Sequence, residues 1–416
     1  MTIFALIAIL LTVTALLSWV NARLIHLPPT IGVMTAALCL SLLLIALGRV
    51  GLGVDRWAEA LFAHVDFDTV LMQGMLSFLL FAGALHVDLG ALLERKWTIA
   101  SLATVGVMIS TFLVGTTFFY VLQAFGDPIP YTWALLFGAL ISPTDPVAVL
   151  GILKNANAPH SLEIHIVGES LFNDGVGVVV YAVLLGFVVD PEPFSLPATL
   201  GLLAEEALGG AMVGAALGWL AYRLLREIDD YSVEILITLA LVSGGYALAG
   251  AIHTSGPIAM VVAGLFIGNH GRAFGMSERT REHLDAFWEM LDELLNALLF
   301  VMIGLELLVL DVERVYLAIG LVAIAIVLLA RTVSVAVPIS AIRAFRPIEA
   351  QTIRVLSWAG IRGGISIALA LGLPASPARD LILVVTYTVV VFSILVQGLT
   401  VGRVVRWVTA NTRTGA

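Results

Sequence analysis

Ionisable side chains embedded in apolar runs are costly, so each one in this chain marks a place where chemistry is expected. The segment Ile141-Ser142-Pro143-Thr144-Asp145-Pro146 brackets an acid with two prolines. Each proline removes a backbone donor and clashes with the preceding turn, so a helix should break here and leave free carbonyls able to ligate a cation. A proline kink with Asp145 capping a half-helix is the plainer alternative. The following apolar run holds Gly168-Glu169-Ser170-Leu171-Phe172-Asn173-Asp174-Gly175. On a helix, Ser170, Asn173 and Asp174 fall at i, i+3 and i+4 on one face, with Glu169 on the adjacent stripe. Two carboxylates, a hydroxyl and an amide are hard-oxygen groups, suited to a proton, Na+ or K+. Asp174 is expected to be the functional acid, and Glu169 to be structural, neutralised by a buried arginine. Two arginines lie deep in later runs. Arg331 sits in Leu328-Leu329-Ala330-Arg331-Thr332-Val333, and Arg362 in Ala359-Gly360-Ile361-Arg362-Gly363-Gly364. The glycines around Arg362 predict a second helix break, and paired interruptions in two halves of a chain mark a midplane binding site.

The elements that hold these groups must be membrane helices. Of 416 residues, 60% are hydrophobic and 12% charged, where soluble domains average about 45–50% and about 25%. That balance excludes a soluble enzyme, a nucleic-acid binder and a disordered regulator. A crossing needs about 20 mostly apolar residues. Such runs predict about thirteen spans: 3–20, 30–48, 70–87, 97–122, 132–153, 162–188, 200–222, 232–251, 255–269, 286–309, 315–341, 350–372 and 380–402. The run 255–269 is short enough to be a half-helix or to merge with its neighbour. The first run lacks a basic stretch before it, so it is expected to remain a membrane helix, and no soluble domain is expected at either end. Alternate loops then place 15 of the 21 Lys and Arg on one side and four on the other, leaving Arg331 and Arg362 inside spans. By that asymmetry the amino terminus lies outside and the carboxyl terminus in the cytoplasm, across the cell (inner) membrane. The single cysteine, Cys39, allows no intramolecular disulfide.

Lesser candidates have plainer explanations. Glu306 is expected to face water at the outer end of its span, and His86 and Asp88 to close a span at a solvated end. His160, Glu163 and His165 lie in a predicted loop without a further ligand at zinc spacing. His253 reads as a surface residue.

Thr144-Asp145-Pro146 followed by Glu169-Ser170-Leu171-Phe172-Asn173-Asp174 resembles the monovalent cation/proton antiporters of the NhaP/NHE (sodium/hydrogen exchanger) branch, and the similarity covers nearly the whole chain. The resemblance implies an all-α polytopic membrane protein of NhaA-like fold, with thirteen transmembrane helices, inverted repeats and two crossed discontinuous helices. It implies one exchanger membrane domain over 1–416, with a core bundle at about 97–188 and 315–408, scaffold and dimerisation helices at about 1–87 and 200–309, and a homodimer. It places Asp145 and Asp174 at the ion site, with Ser170, the Thr144 backbone and Asn173 as further ligands. It pairs Glu169 with Arg331 and puts Arg362 at the crossing, as a stabiliser of the core. One departure stands out: several bacterial members have Phe-Glu-Gly-Ala-Leu where this chain reads Phe81-Ala82-Gly83-Ala84-Leu85. If that Glu helps hold the ion, this site has one oxygen ligand fewer, and the preference for Na+ over K+ is left open.

The function expected on this basis is exchange of Na+ (or Li+ or K+) for H+ by alternating access, without a cofactor, in a bed of membrane lipid. Asp174 would carry either the cation or a proton. Asn173 directly before it has no proton to exchange, which predicts electroneutral one-for-one exchange. A K+/H+ antiporter of the same fold is the alternative reading. An intramembrane aspartyl protease built on Asp145 and Asp174 fits poorly with flanking prolines and buried arginines. A cation channel would need a repeated filter, which the sequence lacks.

Overall fold

The computed structural model describes residues 3–48, 50, 70–146, 149, 153, 160–190, 195–308, 310, 313–344 and 350–413. Among these, the regular elements are helical throughout. The principal helices are α1 (Ile3–Val20), α2 (Pro29–Leu47), α3 (Leu76–Leu85), α4 (Val107–Phe125), α5 (Tyr131–Leu140) and α6 (His160–Val189). They continue with α7 (Leu196–Leu225), α8 (Tyr231–Ala251), α9 (Gly256–Phe266), α10 (Glu278–Glu306) and α11 (Arg314–Arg343). The last are α12 (Ala350–Ala359), α13 (Gly364–Leu371), α14 (Pro377–Phe392) and α15 (Gly398–Arg413). The helix starts follow from local chemistry. Proline occupies the first turn of α2, α7, α9 and α14, where its missing N–H costs nothing. Asp230, Ser255, Ser277 and Ser376 accept backbone N–H groups at the caps of α8, α9, α10 and α14.

Among the described residues, eight helical stretches are long and apolar enough to cross a membrane, and α12 with α13, bent by 48° at the break between them, makes a ninth if the pair is one span. Every run read from the sequence overlaps a helix among the described residues, with two differences. The run 132–153 is interrupted where Pro143 and Pro146 predict a break, α5 stopping at Leu140. The run 255–269 is not a half-helix: helical structure continues from Gly256 through a π-helical turn to Gly275. Helix α10 starts at Glu278, ahead of the expected 286, because Ser277 caps a polar first turn. Arg49, Arg56, Lys154 and Arg346, used in the charge count, lie outside the described residues.

Buried side chains form two clusters. The larger draws on α2, α4 to α6 and the second half of α10 through α15, with Phe118 of α4 packed on Phe137 of α5 at 4.3 Å between ring centres. The smaller joins α3, α7, α8, α9 and the first half of α10. Its centre is Trp288, fully buried 4.7 Å from the Phe81 ring, with its indole N–H donating to Thr238 Oγ1 at 3.1 Å. The indole's hydrogen bond is satisfied while its apolar area is removed from solvent, so this residue locks α10 to α3 and α8. Helix α7 carries large apolar side chains outward, among them Leu208, Met212 and Trp219, as a lipid-facing helix must.

Candidate functional site

After Leu140 the chain leaves the helix, and residues 142–146 run without helical structure, as Pro143 and Pro146 require. In the second half of the chain α12 stops at Ala359 and α13 resumes at Gly364. The two interruptions meet. The Asp145 N–H donates to the Ile361 carbonyl at 2.8 Å. Gly363 lies so close that a Cβ there would overlap Asp145 Oδ2, which is the reason for glycine at this position.

Arg362 is almost completely buried at this crossing. Its Nη1 donates to the carbonyls of Ser142 and, at 3.0 Å, of Pro143. A fixed positive charge therefore faces the carbonyl-rich end of α5, where the helix dipole is negative. The Arg362 N–H donates to Ser393 Oγ at 2.9 Å, so α14's continuation holds the second break as well.

Helix α6 grips the first break at Thr144. Asn173 Nδ2 donates to Thr144 Oγ1 at 2.8 Å, its Oδ1 accepts from the Thr144 N–H at 3.3 Å, and the Ser170 hydroxyl donates to the Thr144 carbonyl. One turn away, Glu169 forms a bidentate pair with Arg331 of α11: Oε1 takes Nη1 and Oε2 takes Nη2 at 2.9 Å. Arg331 Nη2 and Nε also donate to the Leu356 carbonyl at 3.0 and 3.3 Å, which ties α12 to the pair. Both ions are buried, and the fork geometry supplies the compensation that burial demands.

Asp174 is 6% exposed, and its Oδ1 has no hydrogen-bond partner among the described residues. It faces a cavity of about 660 Å³ whose wall includes Thr144, Asp145, Ser170 and Ala82 near the crossing, and His86, Asp88 and Arg272 near helix ends. Asn173, counted with the ligands from sequence, is corrected: both ends of its amide are spent on Thr144, and it lines a separate small gap with Glu169, Arg331 and Arg362 instead of the cavity. Glu306 is also corrected. It is 4% exposed and not at a wet boundary, because α2 packs along the end of α10, where Ser41 donates to the Gly304 carbonyl. His160, Glu163 and His165 begin α6 and do not form a loop. His160 sits 3.4 Å from Glu163, and no group of His, Cys, Asp or Glu is arranged for a metal among the described residues.

The cavity also reveals side chains that the sequence reading passed over. Asp285, Glu289, Asp292 and Asn296 of α10 line it, as does Ser366 of α13. Their spacing along α10, at i, i+4, i+7 and i+11, was the available signal, since it places them on one helix face.

A bundle of membrane helices with a buried carboxylate at the meeting of two interrupted helices, reached by a cavity, has the architecture of a secondary transporter. The family model described as "Sodium/hydrogen exchanger, transmembrane" matches residues 9–407. A Na+/H+ antiporter, NhaP of Pseudomonas aeruginosa, is 51% identical over 98% of this chain and 97% of its own length. NhaH of Halobacillus dabanensis, also named a Na+/H+ antiporter, is 33% identical over 96% of this chain and 95% of its own. The solved structure of the sodium proton antiporter MjNhaP1 from Methanocaldococcus jannaschii at pH 8 shares the fold, with a TM-score of 0.75 at 20% identity over 97% of this chain and 99% of that one. The chain belongs to the sodium/hydrogen exchanger family.

Proposed function

We propose that this protein exchanges Na+ for H+ across the cell membrane, with Asp174 as the shared carrier. One observation carries the reading: the buried Asp174 carboxylate leaves an oxygen without a protein partner at the end of a cavity that contains Asp145. An ionised carboxylate in that position attracts a desolvating cation, and a protonated one does not, so cation and proton exclude each other. Asp145, Ser170 and the Thr144 backbone complete the ligand set. Glu169 with Arg331, and Arg362, hold the broken helices in place without touching the ion. The relatives of similar length named Na+/H+ antiporters support Na+ as the substrate.

The cavity runs between two groups of helices. Ala82 of α3 and Asp285 to Asn296 of α10 form one wall, and the Thr144–Asp145 break, α6 and α13 form the other. This supports a core of about 97–188 and 315–408 that moves against a scaffold of about 1–87 and 200–309. Charge asymmetry puts the mouth, beside Asp88 and Arg272, on the cytoplasmic side, with the amino terminus outside. The state is then inward-open, and the exposed apolar face of the scaffold serves a homodimer. The test is proton movement in proteoliposomes on addition of Na+, Li+ or K+ between about pH 6 and 9, a range that brackets raised carboxylates and histidine. Na+-driven alkalinisation or acidification opposite to the cation flux is expected. Cation flux without proton movement would overturn the reading in favour of a channel.

A further inference from the structure

Asp292 has no part in the scheme above, yet it lies on the wall that faces the crossing. Helix α10 packs against the start of α13 there: a Cβ on Gly364 would press into Leu299, and Gly364 follows the glycine that touches Asp145. Asp292 and Asp145 line the same cavity. The arginine on the described cavity wall, Arg272, is engaged by Asp285 at the mouth. Both carboxylates therefore face one cavity, and the arginine described on its wall is already paired. Such a cleft concentrates mobile cations.

Two further observations point to a ligand in this space and not merely to a charged surface. Ser366 of α13 is 1% exposed, lines the cavity, and its hydroxyl has no hydrogen-bond partner. Asp174, whose Oδ1 has no hydrogen-bond partner among the described residues, lines the same space. Buried hydroxyl and carboxylate oxygens without partners are hard donors of the kind a monovalent cation takes.

We propose that Asp292 is a second cation-holding carboxylate, which receives a partly hydrated Na+ together with Asp145 and sets the affinity with which the cation reaches Asp174. The ion then descends past Ser366 to the carrier. The inference rests on the antiport reading, and it assigns Asp292 an effect on apparent affinity, distinct from the all-or-none role of Asp174.

The experiment is a Na+ titration of proton movement in proteoliposomes containing the parent protein, Asp292→Asn, Glu289→Gln or Ser366→Ala. Asp292→Asn is expected to raise the Na+ KM about fivefold, the loss of one water-accessible charge contact, and to hold the maximal rate within about twofold. Glu289→Gln, one turn nearer the helix start, is expected to raise it less. Ser366→Ala, which removes only a hydroxyl, should also raise the KM, and it carries the test if Asp292→Asn fails to fold. An unchanged KM in Asp292→Asn, a fall in maximal rate at constant KM, or an equal rise in Asp292→Asn and Glu289→Gln would each overturn the proposal, the last by showing a diffuse field and not a site. Where Ser366→Ala alone is recovered, an unchanged KM overturns it. A parent protein without Na+-driven proton movement would overturn the antiport reading itself, a result that is visible before any variant is compared.

Discussion

Glu169 and Asp174 stand five residues apart in one helix, and their surroundings give them opposite tasks. Glu169 has both oxygens taken by the Arg331 fork, so its charge is fixed. Asp174 keeps an oxygen unpartnered among the described residues and lines a cavity, which is the basis for proposing it as the carrier. Removing one member of a buried ion pair leaves the other uncompensated, at a cost of about 3–5 kcal/mol. Glu169→Gln and Arg331→Met are therefore expected to lower the thermal midpoint of the detergent-purified protein by several degrees each. The double variant should lose less than the sum of the two. Strictly additive losses in a melting series would show that the two side chains do not stabilise one another. These residues were legible in the sequence because an ion in an apolar run is conspicuous on its own. Asn173 was legible as a polar group but not as a clamp, since its partner, Thr144, sits in the non-helical break after α5 and only the fold brings them together. Glu306 misled for the same reason: nothing in its neighbours along the chain reveals that α2 covers it.

At the scale of elements, the two interrupted helices are the part of the fold that the sequence announces most clearly. Pro143 and Pro146 forbid a continuous helix, and the glycines at 360, 363 and 364 weaken one. What local chemistry cannot announce is that the breaks touch. Gly363 faces Asp145 and Gly360 faces the Arg331 guanidinium, each too close for a Cβ. In Gly363→Ala the methyl group must displace the Asp145 carboxylate, so exchange is expected to fall at least about tenfold, as active-site misplacements of about 1 Å do. Gly360→Ala presses on the Arg331 guanidinium and should lower the melting temperature, leaving the Asp145 contact alone. Transport assays and melting curves on both variants separate these effects. Near-parental exchange by Gly363→Ala would show that the crossing tolerates a displacement of Asp145. Helix α10 is the opposite case. Its acids obey a helical period, yet the run as a whole is polar enough at one end to blur the span, and only packing against α3 and α13 turns the acidic face inward.

For the whole molecule, the asymmetric distribution of Lys and Arg and the apolar runs were sufficient to foresee a polytopic helical protein, because both follow from the energetics of the bilayer alone. The cavity was not foreseeable, since it lies between two groups of helices distant in sequence. Its contents bear on stoichiometry. Asn173 carries no titratable proton and is hydrogen-bonded to Thr144, so if Asp174 is the carrier the proposal predicts exchange of one Na+ for one proton with no net charge moved. Proteoliposomes held at positive, zero or negative potential with valinomycin should therefore show the same reversal point of Na+-driven pH change, and a reversal point that moves with voltage would reveal a second transported charge. The central claim, that one carboxylate serves both ions, is tested most directly by Asp174→Asn. Asparagine keeps the size of the side chain and an oxygen ligand but cannot bind or release a proton. The variant is expected to insert and melt like the parent and to show no Na+-driven proton movement at any pH between about 6 and 9. Proton-coupled Na+ transport by Asp174→Asn at a rate near that of the parent would contradict the account.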